Sequence, residues 1–593
     1  MHNRFAVIKL WENTVSAEDE NISRLVSAAR ELNLECVPVD RNYRLICDKS
    51  IIADEDNFDF VIHLHFDSSK INNLFSFVAL WNPIQFYHEW GYRKYSDALL
   101  THDDYLSCSS TGADRHLRRL IHDDPYHLIP EFTLYHSLAA PIFEPKKGAR
   151  KKLFYCGINW DRLGKKKGRH TDLLQYFDAK GLVDIYGPAI LQGVKVWEGF
   201  SGYRGEVPFD GVSMVNKIHE SGIALVLSSK AHIDSELMSN RLFESLAAGA
   251  NIICDQNQFA RRHFGDLFHY IDTNEPLSEQ CRQIERYLSD INENPEKAYA
   301  LAKEAQNLFL QKFELKQSLQ RIYARLEERK NRLRGMYAMD TTRCIKVCYL
   351  CGDGADNIPY NLRGNSAGNI ENFICCAENQ KDTFHNVLQK DNTRYLPLKE
   401  NGKFGSAIAN FLSMVHKNDF FAIVLPNELI LRDHFSKLAY VMNVDKYDCV
   451  YSQILIALPE RGNNHIPWYS YNVSDIKSLG NFLFSGTILS PDVVSTPIDL
   501  DTMFAHFLFL SARNSQPVKS FTCISKNPDE LNLVNEKDIN VIHDMHRWAS
   551  IRFNNPNIYT DKTGYIKKKL IFLKRYPLIW RFMRNIQQKF FLN

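Results

Sequence analysis

The 593-residue sequence predicts an α/β chain. Two successive blocks each form a parallel sheet covered by helices, and a third α/β block and a basic amphipathic C-terminal helix follow. Three observations carry this. Short apolar runs alternate with helical spacing through residues 1–148 and again through 149–335, as strands buried between helical layers do. The charged helical stretch 275–334 stops at Gly335, and a polar connector, 336–344, comes next. Strand-like runs then return over 345–545 with a different spacing.

In the first block RFAVIKL (4–10), ECVPVD (35–40) and FVIHLHF (60–66) are strand candidates, and 17–32 is a helix. The basic, turn-rich FEPKKGARKK (143–152) interrupts the pattern. KLFYCGI (152–158), VDIYG (183–187), IALVLSS (223–229) and ANIICD (250–255) are the buried strands of the second block. IKVCYLC (345–351), FFAIVLP (420–426) and CVYSQILIA (449–457) are those of the third. The tail, 546–593, carries nine Lys and Arg and no acid from 562 onward, with Ile579, Phe582, Met583, Ile586 and Phe590 on one helical face. Such a helix lies on an anionic membrane surface; packing on a domain core is the alternative.

Composition excludes some classes. A net charge of +2 gives no field for nucleic acid. No leader and no apolar run near 18 residues stands in the sequence, so neither a secretory signal nor a spanning helix is expected. Thirteen scattered cysteines fit a reducing cytoplasm, and with the tail they suggest a peripheral place on the inner face of the cytoplasmic membrane. Cys344, Cys348 and Cys351 sit in a strand-like run, where cysteine packs as a small hydrophobe rather than as a metal ligand.

The segment DSELMSNRLFESLAAGANIICD (234–255) poses the functional question. Seven residues separate Glu236 from Glu244. Ser239 and Asn240 are cap-type residues, so a helix should begin near Ser239, with Glu236 in the preceding loop and Glu244 within two turns. Its exposed amides and positive dipole end would suit a diphosphate, with sugar hydroxyls bonding the carboxylates on either side. Two solvated acids on a surface helix are the plainer alternative.

With its small-residue run (245–250) and apolar strand (251–255), this segment resembles the C-terminal half of GT-B glycosyltransferases, of the retaining group-one type and its spore-maturation-protein-like relatives. LFYCGINWDRLGKKKGRHTDLL (153–174), YRGEVPFDG (203–211) and GIALVLSS (222–229) resemble other segments of that family. The resemblance implies two Rossmann-like halves, 1–148 for the acceptor and 149–335 for a nucleotide-sugar donor. It implies that Glu244 binds the donor's ribose and Glu236 its sugar. Arg162 and Lys167, with Lys165 and Lys166 as substitutes, would neutralise the diphosphate. Gly157 would let the backbone approach the donor, beside Ser239, Asn240 and Arg241. No metal or other cofactor is implied in this half. His63 and His65, at the carboxyl end of a strand, and His88 are candidates for an acceptor-side base.

Residues 394–438 and FSGTILSP (484–491) resemble GT-A glycosyltransferases of the family-two type. Where that family has an Asp-x-Asp motif for Mg or Mn, this chain has Leu425-Pro426-Asn427-Glu428, and Asp501 is the candidate base. Asn427 and Glu428 offer one carboxylate where a divalent ion takes two, so a degenerate GT-A-like domain is expected. The expectation is a glycosyltransferase moving a sugar from a nucleotide donor to a growing surface glycan or lipid-linked acceptor. A bifunctional transferase, a nucleotide-sugar epimerase and a non-catalytic glycan-binding scaffold are the alternatives.

Overall fold

Six strands build the first sheet: β1 (Arg4–Ile8), β2 (Glu35–Val39), β3 (Val61–His63), β4 (Ser76–Ala79), β5 (Asp104–Ser107) and β6 (Phe132–Thr133). They lie in the order β2-β1-β3-β4-β5-β6, every neighbouring pair parallel. Phe5, Ala6, Val7 and Ile8 are all buried, so both faces of β1 are covered, which is why it reads as a continuous apolar run. FVIHLHF is strand only as far as His63; Leu64 and His65 have already turned off the sheet edge. β5 and β6 are too short and too polar to show in an apolar scan.

The second sheet holds β7 (Leu153–Cys156), β8 (Val183–Tyr186), β11 (Tyr203–Gly205), β12 (Ile223–Val226), β13 (Asn251–Asp255) and β14 (His269–Ile271). Its order is β11-β8-β7-β12-β13-β14, again wholly parallel. A small antiparallel hairpin, β9 (Ile190–Leu191) with β10 (Val194–Lys195), stands outside it. The strand order reverses between β1 and β3 in one sheet and between β7 and β12 in the other. Crevices that bind ligands in such sheets open beyond the carboxyl ends at those points.

The computed structural model describes residues 2–121, 129–148, 152–159, 162–163, 170–336, 343–351, 358–363, 369–389, 392–398, 405–426, 428–445, 447–458, 463–465, 482–489 and 515–525. The chain divides into two compact units, Met1–Gly335 and Met336–Asn593. Both Rossmann-like sheets belong to the first unit, and one apolar core runs through them, from Phe5 and Phe60 to Leu242 and Phe243. The last helix of this unit, Leu315–Gly335, returns to the first sheet. Tyr323 lies 5.3 Å from the Phe60 ring, and the Arg329 guanidinium grips both oxygens of Asp104 at 2.7 Å.

The second unit is a mixed sheet. β15 (Ile345–Leu350), β16 (Ile370–Ala377), β17 (Thr393–Leu398) and β18 (Phe420–Val424) are parallel. β19 (Glu428–Ile430), β20 (Cys449–Leu458), β21 (Asn463–His465), β22 (Phe482–Ser485) and β23 (Ser515–Ser525) complete it. The order is β17-β16-β15-β18-β22-β20-β23-β19, with β21 on β20. Asn427, Asp501 and the basic tail lie outside the described residues. Among the described residues, no helix is long and apolar enough to cross a membrane.

Candidate functional site

The loops beyond the carboxyl ends of the first unit's two sheets meet around residues 229–244. Ser110 donates to the Ser235 carbonyl at 2.6 Å, the Gly112 amide to the same oxygen at 3.2 Å, and the Ile84 amide to Ser235 Oγ at 3.1 Å. Gly112 is required here: a Cβ would stand 2.9 Å from Ser235 Cα. The first sheet therefore docks directly on the turn that carries Glu236.

Glu236 ends that turn with φ +53, a left-handed conformation that glycine adopts freely and a glutamate holds only under strain, at about 1–3 kcal/mol. Its carboxylate is half-buried and accepts the Thr111 hydroxyl at 2.5 Å; Arg262 is its ion-pair partner. The Thr111 hydroxyl and then Arg262 hold it below the usual carboxylate range. An ionised oxygen is thus fixed at the seam between the halves.

Ser239 stands at the N-cap, and the helix runs over Asn240–Ala247, as cap chemistry requires. The Ser239 side chain makes no capping bond. Arg241 sits over the Tyr155 ring at 5.9 Å. The small-residue run has a steric cause. Gly249 has φ +64, and a Cβ there would meet the passing 143–145 segment, 2.7 Å from Pro145 N.

Glu244 departs from the expectation of a carboxylate open to the cleft. It is 5% exposed and bonded through Oε1 to Arg24 Nη2 at 2.6 Å. The same Nη2 reaches Glu20 Oε1 at 2.5 Å, and the Gly211 amide donates to Glu20 Oε2 at 2.8 Å. Burial pushes the Glu20 carboxyl up, against the opposing pull of Arg24. Glu20 and Arg24 belong to the helix Ala17–Glu31, whose capping box is built from Ser16 and Asp19. Sequence reading missed both. The Glu20–Arg24 spacing of one helical turn was visible; the third member, 220 residues from Arg24, was not.

His63 lies at the end of β3 but is fully buried, with Nε2 2.9 Å from the Tyr43 hydroxyl and Nδ1 2.7 Å from Ser68 Oγ. Burial, and then His102, hold it well below its ordinary pKa. Both nitrogens are engaged, which argues against proton transfer to an acceptor. His65 is better placed. It is half-buried beside Trp11, with ring centroids 4.6 Å apart. Its Nε2 is 3.3 Å from Glu18 Oε1, within ion-pair range but without hydrogen-bond alignment. The amides of Leu10 and Trp11 donate to the two Glu18 oxygens at 2.6 and 3.1 Å and fix that carboxylate. His88 is exposed against Tyr92.

His136, also missed, packs 4.0 Å from Trp81. Its electrostatic neighbours are His232, His65 and Asn240. Burial pulls it down to about 3, and pulls His102 and His116 to about 4. These depressed values set an acid limit on stability. Above pH 6.5 the rings are neutral in both folded and unfolded chains. As pH falls from about 6.5 towards 4, the unfolded chain takes up protons that the folded one refuses. Each ring then removes on the order of 1.4 kcal/mol per pH unit. Urea midpoints should fall steeply over that window, and less steeply in His102→Gln.

Gly157 follows β7, and its amide donates to the Tyr186 carbonyl at 3.1 Å. A Cβ on Gly187 would stand 2.2 Å from the Gly157 oxygen, so these turns can close only with glycine at 187. Arg162 is half-buried and donates to the Glu198 carbonyl at 2.9 Å. Lys165, Lys166 and Lys167 lie outside the described residues. In the second unit, Glu428 is fully buried and accepts the Leu425 amide at 2.7 Å. That carboxylate braces its own turn. All thirteen cysteines are free thiols. Among the described residues, no three His, Cys, Asp or Glu are grouped to hold a metal ion.

Residues 169–324 match a family model described as glycosyl transferase-like. No curated protein matches the chain. Among solved structures, S. aureus TarS 1-349 in complex with UDP-GlcNAc is 12% identical with a TM-score of 0.29, covering 35% of this chain and 66% of that one. A longer S. aureus TarS structure is 11% identical with a TM-score of 0.28, covering 36% of this chain and 40% of that one. The spinosyn forosaminyltransferase SpnP is 11% identical with a TM-score of 0.32, covering 55% of this chain and 99% of that one. The chain thus spans less than two thirds of the longer TarS. The segment that carries Glu236, Asn240, Arg241 and Glu244 is therefore similar to glycosyl transferases.

Proposed function

We propose that the first unit transfers a sugar from a nucleotide-sugar donor to a growing surface glycan or lipid-linked acceptor, with retention and without a metal. One observation carries the reading: the segment on which the loops of both sheets meet holds Glu236, fixed in a strained turn, and Glu244, inside the helix that follows. Glu244 Oε1 is held by Arg24, and its Oε2 takes no hydrogen bond among the described residues. That oxygen can accept a ribose hydroxyl. Glu236 contacts the donor sugar, and the first-turn amides after Ser239 face the diphosphate. Arg162 and the lysines that follow it neutralise the charge on the leaving group. His65, beside Glu18, is the base candidate on the acceptor side.

The second unit is read as a degenerate GT-A-like domain that binds acceptor or supports the enzyme. The burial of Glu428 supports this over a bifunctional transferase, because a fully buried carboxylate is not open to a divalent ion that also meets a nucleotide diphosphate. The basic tail is read as a contact with the inner face of the membrane.

Nucleotide release tests the proposal. Purified protein is incubated with a panel of nucleotide sugars and acceptor lipid extract, with and without Mg or Mn. Release without metal, kept in Glu428→Gln, is the expected result. Metal-dependent release lost in Glu428→Gln would move the chemistry to the second unit. A changed sugar with no acceptor present would indicate an epimerase. No release with any donor would favour a glycan-binding scaffold.

A further inference from the structure

Arg24 is the least expected charge in the first unit. Its residue is 1% exposed, and it lies in the middle of a helix of the first sheet. Only Nη2 is bonded, to Glu20 at 2.5 Å and Glu244 at 2.6 Å; Nε and Nη1 are buried without a hydrogen-bond partner. A guanidinium buried for stability alone would have its donors satisfied, since each orphaned donor is unfavourable. Two carboxylates on one cation also leave the cluster one charge short of neutral, which a purely structural ion cluster avoids. Cys156, at the carboxyl end of β7, has Arg241, Glu244 and Glu20 among its electrostatic neighbours. The cluster thus lies beside the switch point of the second sheet, where a ligand is expected.

We propose that Arg24 is a positioning residue for the nucleotide: it crosses from the first half to hold one oxygen of Glu244, so that the other is aimed at the ligand's ribose. The inference rests on the donor role proposed for Glu244. It adds that nucleotide recognition is completed by the half that does not otherwise carry it. The Gly211 amide on Glu20 anchors the same helix to the second half, which makes the coupling mechanical as well as electrostatic.

The test is nucleotide affinity by titration calorimetry with UDP, GDP, ADP and TDP on the full chain. Wild type is compared with Arg24→Met, Arg24→Lys and Glu20→Gln. Arg24→Met should weaken the best-bound nucleotide by about tenfold or more. Arg24→Lys, which restores the charge, should recover part of that loss. Glu20→Gln, which leaves the Arg24–Glu244 bond in place, should change affinity less than threefold, about 0.6 kcal/mol. Partial rescue by lysine distinguishes positioning from general destabilisation, and should Arg24→Met fail to fold, Glu20→Gln and Arg24→Lys still decide. Unchanged affinity in Arg24→Met, or an equal loss in Glu20→Gln, overturns the proposal. If wild type binds none of the four, the donor reading itself fails, and this inference with it.

Discussion

Glu236→Gln is expected to lower nucleotide release by at least about 100-fold, with the fold intact. The substitution keeps the shape and the Thr111 hydrogen bond but removes the charge that the donor sugar would meet. The bond to Arg262 is partly exposed, and such pairs contribute at most about 1 kcal/mol, so thermal unfolding should barely move. Glu236→Gly sharpens the experiment. At φ +53 glycine relieves the left-handed strain, so this variant should be inactive and yet about as stable as wild type, or up to about 1 kcal/mol more stable. Inactivity with undiminished stability is the mark of a residue retained for function. Release at the wild-type rate in Glu236→Gln would remove this carboxylate from the mechanism.

Arg329→Met should be the most damaging single change to the first unit. Arg329 and Asp104 are each 1% exposed, and the pair is bidentate at 2.7 Å. Removing the cation strands a buried carboxylate that desolvation already pushes up despite the pairing. Breaking such a pair from one side costs about 3–5 kcal/mol. Over a unit of this size that is a fall in Tm of about 5 °C or more. The double variant Asp104→Leu/Arg329→Met removes both charges and should recover most of the loss, because a buried pair contributes little beyond its own desolvation. Differential scanning calorimetry decides. A Tm for Arg329→Met equal to wild type would show that the last helix is not clamped to the first sheet by this pair.

The elements that could be read from sequence are those fixed by interactions within a few residues. Ser239 and Asn240 announce a helix start because capping is settled inside one turn, and the helix begins at Asn240. The buried strands β7, β12 and β13 show as apolar runs because each is covered on both faces, whereas β8 is buried only at alternate residues. Gly249 is legible as a helix stop because left-handed φ is a local preference. What the tertiary structure decided is which face of each element meets which partner. His63 and His65 are two residues apart in one strand-like run, yet one is sealed between Tyr43 and Ser68 while the other opens beside Trp11 and Glu18. Glu244 reads as an exposed helical acid until the Ala17–Glu31 helix brings Arg24 over it. The return of the Leu315–Gly335 helix to the first sheet rests on Arg329 meeting Asp104, 225 residues away. Periodicity and caps record local geometry. An ion pair between distant segments exists only once loops have closed and two faces have docked, and no local pattern encodes that docking.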